Sequence, residues 1–362
     1  MIAFPVNCQT SDIAVFNNHK NSGSELVSLV EARMLGKHQK ECRALSHHGQ
    51  SAWRLMSDEG PYLGGTDLGP FPLGFFAAGL GQELLTQAQG LNLDLAQLEL
   101  LNRYRFEGSF LRGTGQGQAQ NPQLAVVLNN SIDSASFDRQ KSQLQEKFSA
   151  THASALLTQD VTALFAIRLN GVFIGCPLEG FEVDGLEADF ENESKAWSAS
   201  SENHQSSIFK LESGVSNVAL MPNSGAAQIE VQSSWLASQS TVSDEIRGGY
   251  WNIGLRSPPG SSFGFACEQA ASPVDLLLGG VAFCFLTQVS RYTEALKLPY
   301  SLLQLKQFLI RSRQGSYCIK TLLDLESEAQ PKEIGDIASY SANTCYLHAA
   351  LRSHLSLEIV KA

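Results

Sequence analysis

Two stretches of the chain are apolar almost without a break, and each opens on a proline. The first runs Pro72-Leu73-Gly74-Phe75-Phe76-Ala77-Ala78-Gly79-Leu80-Gly81, and the second runs Pro273-Val274-Asp275-Leu276-Leu277-Leu278-Gly279-Gly280-Val281-Ala282-Phe283-Cys284. Proline suits the first helical turn, where its missing N–H has no partner to lose, and Gly90 supplies a stop for the first stretch. The pattern predicts helices over 72–90 and from 273 to about 296, the second ending before Pro299. The stretch 274–289 contains Asp275 and is short for a bilayer, so it reads as a buried core helix.

Behind each helix the same succession of patterns returns. Strand-like runs cover 98–106 and 124–128 in the first half, and 305–310 and 318–323 in the second. An amphipathic helix follows, with Phe137, Leu144, Phe148 and Ala155 at helical spacing. Its counterpart has an apolar stripe of Ile334, Ile337, Tyr340, Thr344, Leu347 and Leu351, with Cys345 and His348 at the edge. Each half closes on a strand, 161–169 and 355–360, the latter alternating as a half-buried sheet face does. Ahead of the helices, Trp53-Arg54-Leu55 and Trp251-Asn252-Ile253 each precede a glycine, Gly60 or Gly260, and a loop.

This is one design written twice. Strands, a long apolar helix, more strands, a second helix and a final strand make an α+β fold, a sheet packed on a long central helix in each half. The boundary falls between 170 and 205, giving domains 1–175 and 176–362, and 191–207 is polar enough to be a linker.

Length and charge narrow the function. A chain of 362 residues exceeds a single core of ordinary size. Its net charge of −10, with no basic run, argues against a nucleic-acid partner and against an anionic membrane surface. The start lacks a basic segment followed by a long apolar one, and the seven cysteines are odd in number and scattered. Both features predict reduced thiols and a cytoplasmic protein.

Other motifs are weak. His38 and Cys42, with His47 and His48 close behind, lack a second ligand pair at zinc spacing. Gly113-Thr114-Gly115-Gln116-Gly117 precedes a strand rather than a helix and reads as a hairpin loop. Neither a metal nor a cofactor is expected.

Eleven residues past the opening proline, the first half has Glu83 and the second has Cys284. The run Gly64-Gly65-Thr66-Asp67-Leu68-Gly69-Pro70-Phe71-Pro72-Leu73, the proline-to-cysteine spacing and a second cysteine in Cys345-Tyr346-Leu347-His348 together resemble the OsmC/Ohr family of thiol-dependent organic hydroperoxide reductases. The proline that follows the second cysteine in that family is absent here. Members are homodimers of one such domain, with long helices buried between subunits and thiol sites at the interface. The resemblance implies that this tandem chain forms the dimer within itself, at high effective concentration.

The resemblance also implies chemistry. Cys284 would attack the peroxide, Cys345 would resolve the sulfenate, and an external dithiol would reduce the resulting disulfide. The family places an arginine beside the thiolate, for which Arg256, Arg247 and Arg54 are candidates. The family's glutamate position is Val274 here, with Asp275 alongside. In the first half Glu83 and Thr151 replace the two cysteines, so that half cannot run the cycle. Glu83 sits either at the helix edge or reaches across to the other site. His348, one turn after Cys345, could tune it. The alternative is a non-catalytic protein that binds a small apolar ligand in the cavity between the halves.

Overall fold

A computed structural model describes residues 2–46, 49–128, 133–174, 206–211, 228–236, 249–257, 260–267 and 270–361. Up to residue 174 the elements are β1 (Ala3–Pro5), α1 (Thr10–Ser22), β2 (Glu25–Met34), β3 (Lys40–Ser46), β4 (Ser51–Ser57), α2 (Pro72–Gly90), β5 (Leu95–Glu107), β6 (Gln116–Ala119), β7 (Gln123–Leu128), α3 (Ser134–Ser149), α4 (His152–Thr158), β8 (Thr162–Leu169) and β9 (Val172–Ile174). From 206 they are β10 (Ile208–Leu211), β11 (Gln228–Leu236), β12 (Tyr250–Ser257), β13 (Ser262–Ala266), α5 (Pro273–Ala295), β14 (Tyr300–Arg311), β15 (Tyr317–Ser327), α6 (Pro331–Thr344), α7 (Tyr346–Arg352) and β16 (Glu358–Lys361). Among the described residues the chain is α+β, with seven α-helices and two eight-stranded sheets.

The sheets have matching orders. One runs β1-β4-β3-β2-β14-β15-β8-β9; the other runs β10-β13-β12-β11-β5-β7-β16, with β6 paired to β5. Neighbours are antiparallel except β15–β8 and β16–β7, which are parallel. Each sheet therefore takes two or three central strands from the opposite half of the chain. A cut at 175/176, which itself lies outside the described residues, divides the chain but leaves neither half with a sheet of its own. The end of the polar stretch is anchored, since Ser206 Oγ accepts hydrogen bonds from the backbone of Ile2 and Ala3, each at 3.0 Å.

Both long helices form where the prolines place them, and their crossing explains the small residues near their middles. A Cβ on Gly79 would lie 2.5 Å from the Pro273 carbonyl oxygen, and one on Gly280 would lie 2.9 Å from the Phe76 nitrogen. Each glycine is seven residues past its proline, so α2 and α5 touch backbone to backbone through equivalent positions. The apolar faces of both sheets and both helices then form one continuous core. With 23 residues α5 is long and apolar enough to cross a membrane, yet 89% of its most apolar window is buried in this core. A second, smaller cluster beneath α1, including Phe16, Leu26 and Phe308, lies apart from it.

Two sequence expectations change. The tryptophans do not mark equivalent strands: Trp53 is on β4, whereas Trp251 is on β12, and the strand in β4's place is β13. The amphipathic segment of each half is two helices rather than one. It breaks at Thr151 and at Cys345, both in extended backbone, and both cap the short helix that follows.

Candidate functional site

The break at Cys345 brings the two cysteines together. Cys284 lies three turns into α5, Cys345 stands at the corner between α6 and α7, and the Cys284 thiol hydrogen-bonds to Cys345. Both are reduced and buried, with 4% and 0% exposure. The 61 residues between them are bridged by the fold alone.

Their electrostatics differ. Donation of its proton to Cys345 holds the Cys284 thiol well above the usual range, and burial and the Glu59 carboxylate push it the same way. Burial also pushes Cys345 up, but other groups outweigh it. The Cys284 S–H, the field of His348 and the backbone N–H of His348 hold Cys345 well below the usual thiol range. The resemblance makes Cys284 the attacking thiol; the directions of the two shifts make Cys345 the more acidic of the pair.

Aromatic rings enclose the pair. His348 sits between Phe165 and Phe285, with ring centroids at 5.5 and 5.2 Å. Neither of its ring nitrogens has a well-formed hydrogen bond. Tyr104 and Tyr346 stand 5.7 Å apart. Burial, then the charge of the cysteines, pushes both phenols up, that of Tyr346 to about 12, so they remain neutral. Over them lies the glycine hairpin, which does precede a strand, β6. A Cβ on Gly117 would lie 3.0 Å from the Thr344 carbonyl oxygen, and Phe110 stacks on Tyr292 at 3.9 Å. Glycine is required there because the hairpin backbone rests on the corner that carries Cys345.

The Gly64–Leu73 motif has a structural task. Asp58 accepts hydrogen bonds from the backbone of Thr66 at 3.2 Å and of Leu68 at 3.1 Å, and a Cβ on Gly65 would strike the Glu59 carbonyl oxygen at 1.9 Å. The motif thus wraps around Asp58-Glu59 and fixes Glu59. Lys40 Nζ stands 3.3 Å from Glu59 Oε1, Thr287 Oγ1 donates to the same oxygen at 2.8 Å, and Tyr62 donates to Oε2 at 2.8 Å. Lys40, Glu59, Tyr62 and Tyr104 were missed in the sequence, where nothing in their spacing connects them to the cysteines.

Two of the expected arginines pair with carboxylates on neighbouring strands. Arg256 stands 3.9 Å from Glu230, which also pairs with Arg103, and Arg54 pairs with Glu41. Arg247 lies outside the described residues. The arginine whose field reaches Tyr346 is Arg291, two turns beyond Cys284 on α5. Asp275 does not replace the missing glutamate. It is fully buried at the start of α5 and accepts the hydroxyls of Ser28 and Ser46, both at 2.7 Å. Asp275→Ala removes the acceptor of both buried hydroxyls, leaving Ser46 only the Ser272 hydroxyl at 3.3 Å, and is expected to lower stability by about 2 kcal/mol in urea unfolding, with little effect on thiol reactivity.

In the first half, Glu83 is half-buried on the helix edge and accepts from Gln87 at 2.7 Å. Thr151 caps α4 as Cys345 caps α7. His152 meets the Tyr317 hydroxyl at 2.7 Å, so that counterpart holds no thiol. His38 is buried, and its imidazole is pulled down by desolvation. Among the described residues no three His, Cys, Asp or Glu side chains gather to hold a metal; His47 and His48 are outside them.

No protein-family model, curated protein or solved structure matches the chain.

Proposed function

We propose that the protein is a dithiol peroxidase of the OsmC/Ohr type, folded as an intramolecular pseudo-dimer with one working site, which reduces organic hydroperoxides in a reducing, cytoplasmic compartment. The observation that carries this reading is a buried, hydrogen-bonded pair of reduced cysteines, Cys345 and Cys284, within an aromatic shell. The matching sheet orders, with strands exchanged between halves, support the pseudo-dimer. Six free cysteines among the described residues support the compartment.

The chemistry follows from the charge distribution. The Cys345 thiolate attacks the hydroperoxide oxygen, the O–O bond breaks, and the alcohol leaves with a proton. Cys345 becomes a sulfenic acid. The Cys284 thiol then attacks that sulfur, water departs and a disulfide forms. An external dithiol returns both sulfurs to the reduced state by thiol–disulfide exchange. Apolar walls around the sulfurs favour an organic hydroperoxide over hydrogen peroxide.

The direct test is peptide mapping after treatment with cumene hydroperoxide. A Cys284–Cys345 disulfide and consumption of one equivalent per chain are expected; excess peroxide without that bond overturns the proposal. The depressed Cys345 also gives a pH signature. An ordinary thiol loses about tenfold in thiolate per unit below pH 8.5, whereas oxidation here should stay nearly flat down to neutral pH. A rate falling tenfold per unit from pH 8.5 places the thiolate elsewhere.

A further inference from the structure

We infer that Glu59, carried by the first half of the chain, is a positioning residue that decides which of the two sulfurs holds the negative charge. The inference rests on the dithiol site proposed above and assigns to the half without the paired cysteines a part in that site. Glu59 follows β4, Lys40 belongs to β3, and both meet Thr287, one turn beyond Cys284 on α5. Lys40, Glu59 and Thr287 are 0%, 3% and 2% exposed. With Lys40, Thr287 and Tyr62 all donating to it, the carboxylate is fixed in place.

Two buried anions held close together repel strongly where the dielectric is low. A carboxylate fixed on Thr287, one turn from Cys284, therefore keeps that sulfur protonated, and its S–H is then free to donate to Cys345. On the far side the groups that favour an anion, His348 and its backbone N–H, converge on Cys345. The remaining charged or titratable groups facing the pair are Tyr62 beside Glu59, Tyr104 on β5, Arg291 on α5 and Tyr346 on α7. A buried ion pair adds little net stability over apolar side chains of the same size. Its position against the thiol supplies a reason for it that stability does not.

The test uses the full chain, limited iodoacetamide at neutral pH, and mass spectrometry of the Cys284 and Cys345 peptides. The wild type is expected to label chiefly at Cys345. Glu59→Gln removes the anion and leaves Lys40 facing the site, and should raise the Cys284 share at least about tenfold, the equivalent of one unit of relative acidity. Lys40→Met leaves the carboxylate uncompensated and should move the share the other way, and Glu59→Asp should restore the wild-type ratio. Unchanged labelling in a Glu59→Gln chain that melts like the wild type overturns the inference. Should that variant not fold, Tyr62→Phe decides, since stripping one donor from the carboxylate must lower the Cys284 share and any other result overturns it. The two readings separate cleanly. Label that moves with Glu59, without a peroxide-induced disulfide, leaves this inference standing and the peroxidase reading lost; a disulfide with immobile label does the reverse.

Discussion

Serine at position 345 should abolish reaction with hydroperoxide, and serine at 284 should not. The thiolate is the nucleophile, and the groups that stabilise an anion converge on Cys345. Cys345→Ser is expected to slow thiol oxidation at the site by at least about a hundredfold, some 2.7 kcal/mol of transition-state stabilisation. Cys284→Ser keeps the nucleophile and its His348 neighbour and loses only the resolving thiol. It should undergo one oxidation per chain, accumulate a sulfenic acid at Cys345 that dimedone traps, and fail to turn over. The opposite pattern, with the adduct on Cys284 in Cys345→Ser, would reverse the roles and restore the order that the family resemblance implies. An adduct in neither variant would remove the peroxidase reading altogether.

The largest structural effect is expected at the helix crossing. Gly79→Leu and Gly280→Leu each force a side chain into backbone, at 2.5 Å from the Pro273 carbonyl oxygen and 2.9 Å from the Phe76 nitrogen. Backbone cannot step aside as a flexible side chain can, so each substitution should cost about 3 kcal/mol or more, at the upper end for overpacking. The pair together should prevent folding, because α2 and α5 hold both sheets on one core. Gly335→Ala is the matched control. It lies in α6 with nothing within 4 Å of an added Cβ, and should stabilise by about 0.5 to 1 kcal/mol through helix propensity. Urea unfolding of the four variants checks all three statements. A Gly280→Leu chain with wild-type stability would show that the helices do not meet there.

Much of the local structure was legible. Proline at the first turn, unbroken apolar runs and small residues near the middle gave both long helices to within a residue of their ends. Alternation and β-branched runs located β5, β7, β8, β14 and β15, though all but β8 extend beyond the predicted ranges. The second helix of each half was misread as continuous because the apolar spacing carries across Thr151 and Cys345. What stops it is local backbone: both residues are extended, and Thr151 turns its hydroxyl onto the Ser154 N–H at 3.1 Å. That break matters, since it turns Cys345 from an edge residue of a helix into the corner that meets Cys284.

The charged part of the site was not legible. Lys40, Glu59 and Thr287 are 19 and 228 residues apart along the chain, and a buried ion pair leaves no periodic trace. Arg256 suggested itself because it precedes the long helix, yet in the fold it lies on β12 near Glu230 of the neighbouring strand.

By itself, the sequence determined the two long helices and most of the strands that follow them, that these come in two similar sets, and that a thiol occupies corresponding places in only one. Those properties depend on neighbours within a turn or two, and local chemistry is written in local order. The tertiary structure alone decided that each sheet borrows strands from the other half, that Glu59 of the first half meets Thr287 one turn beyond Cys284, and that Cys284 meets Cys345. Strand exchange and buried electrostatics depend on distances through space, which spacing along a chain does not encode.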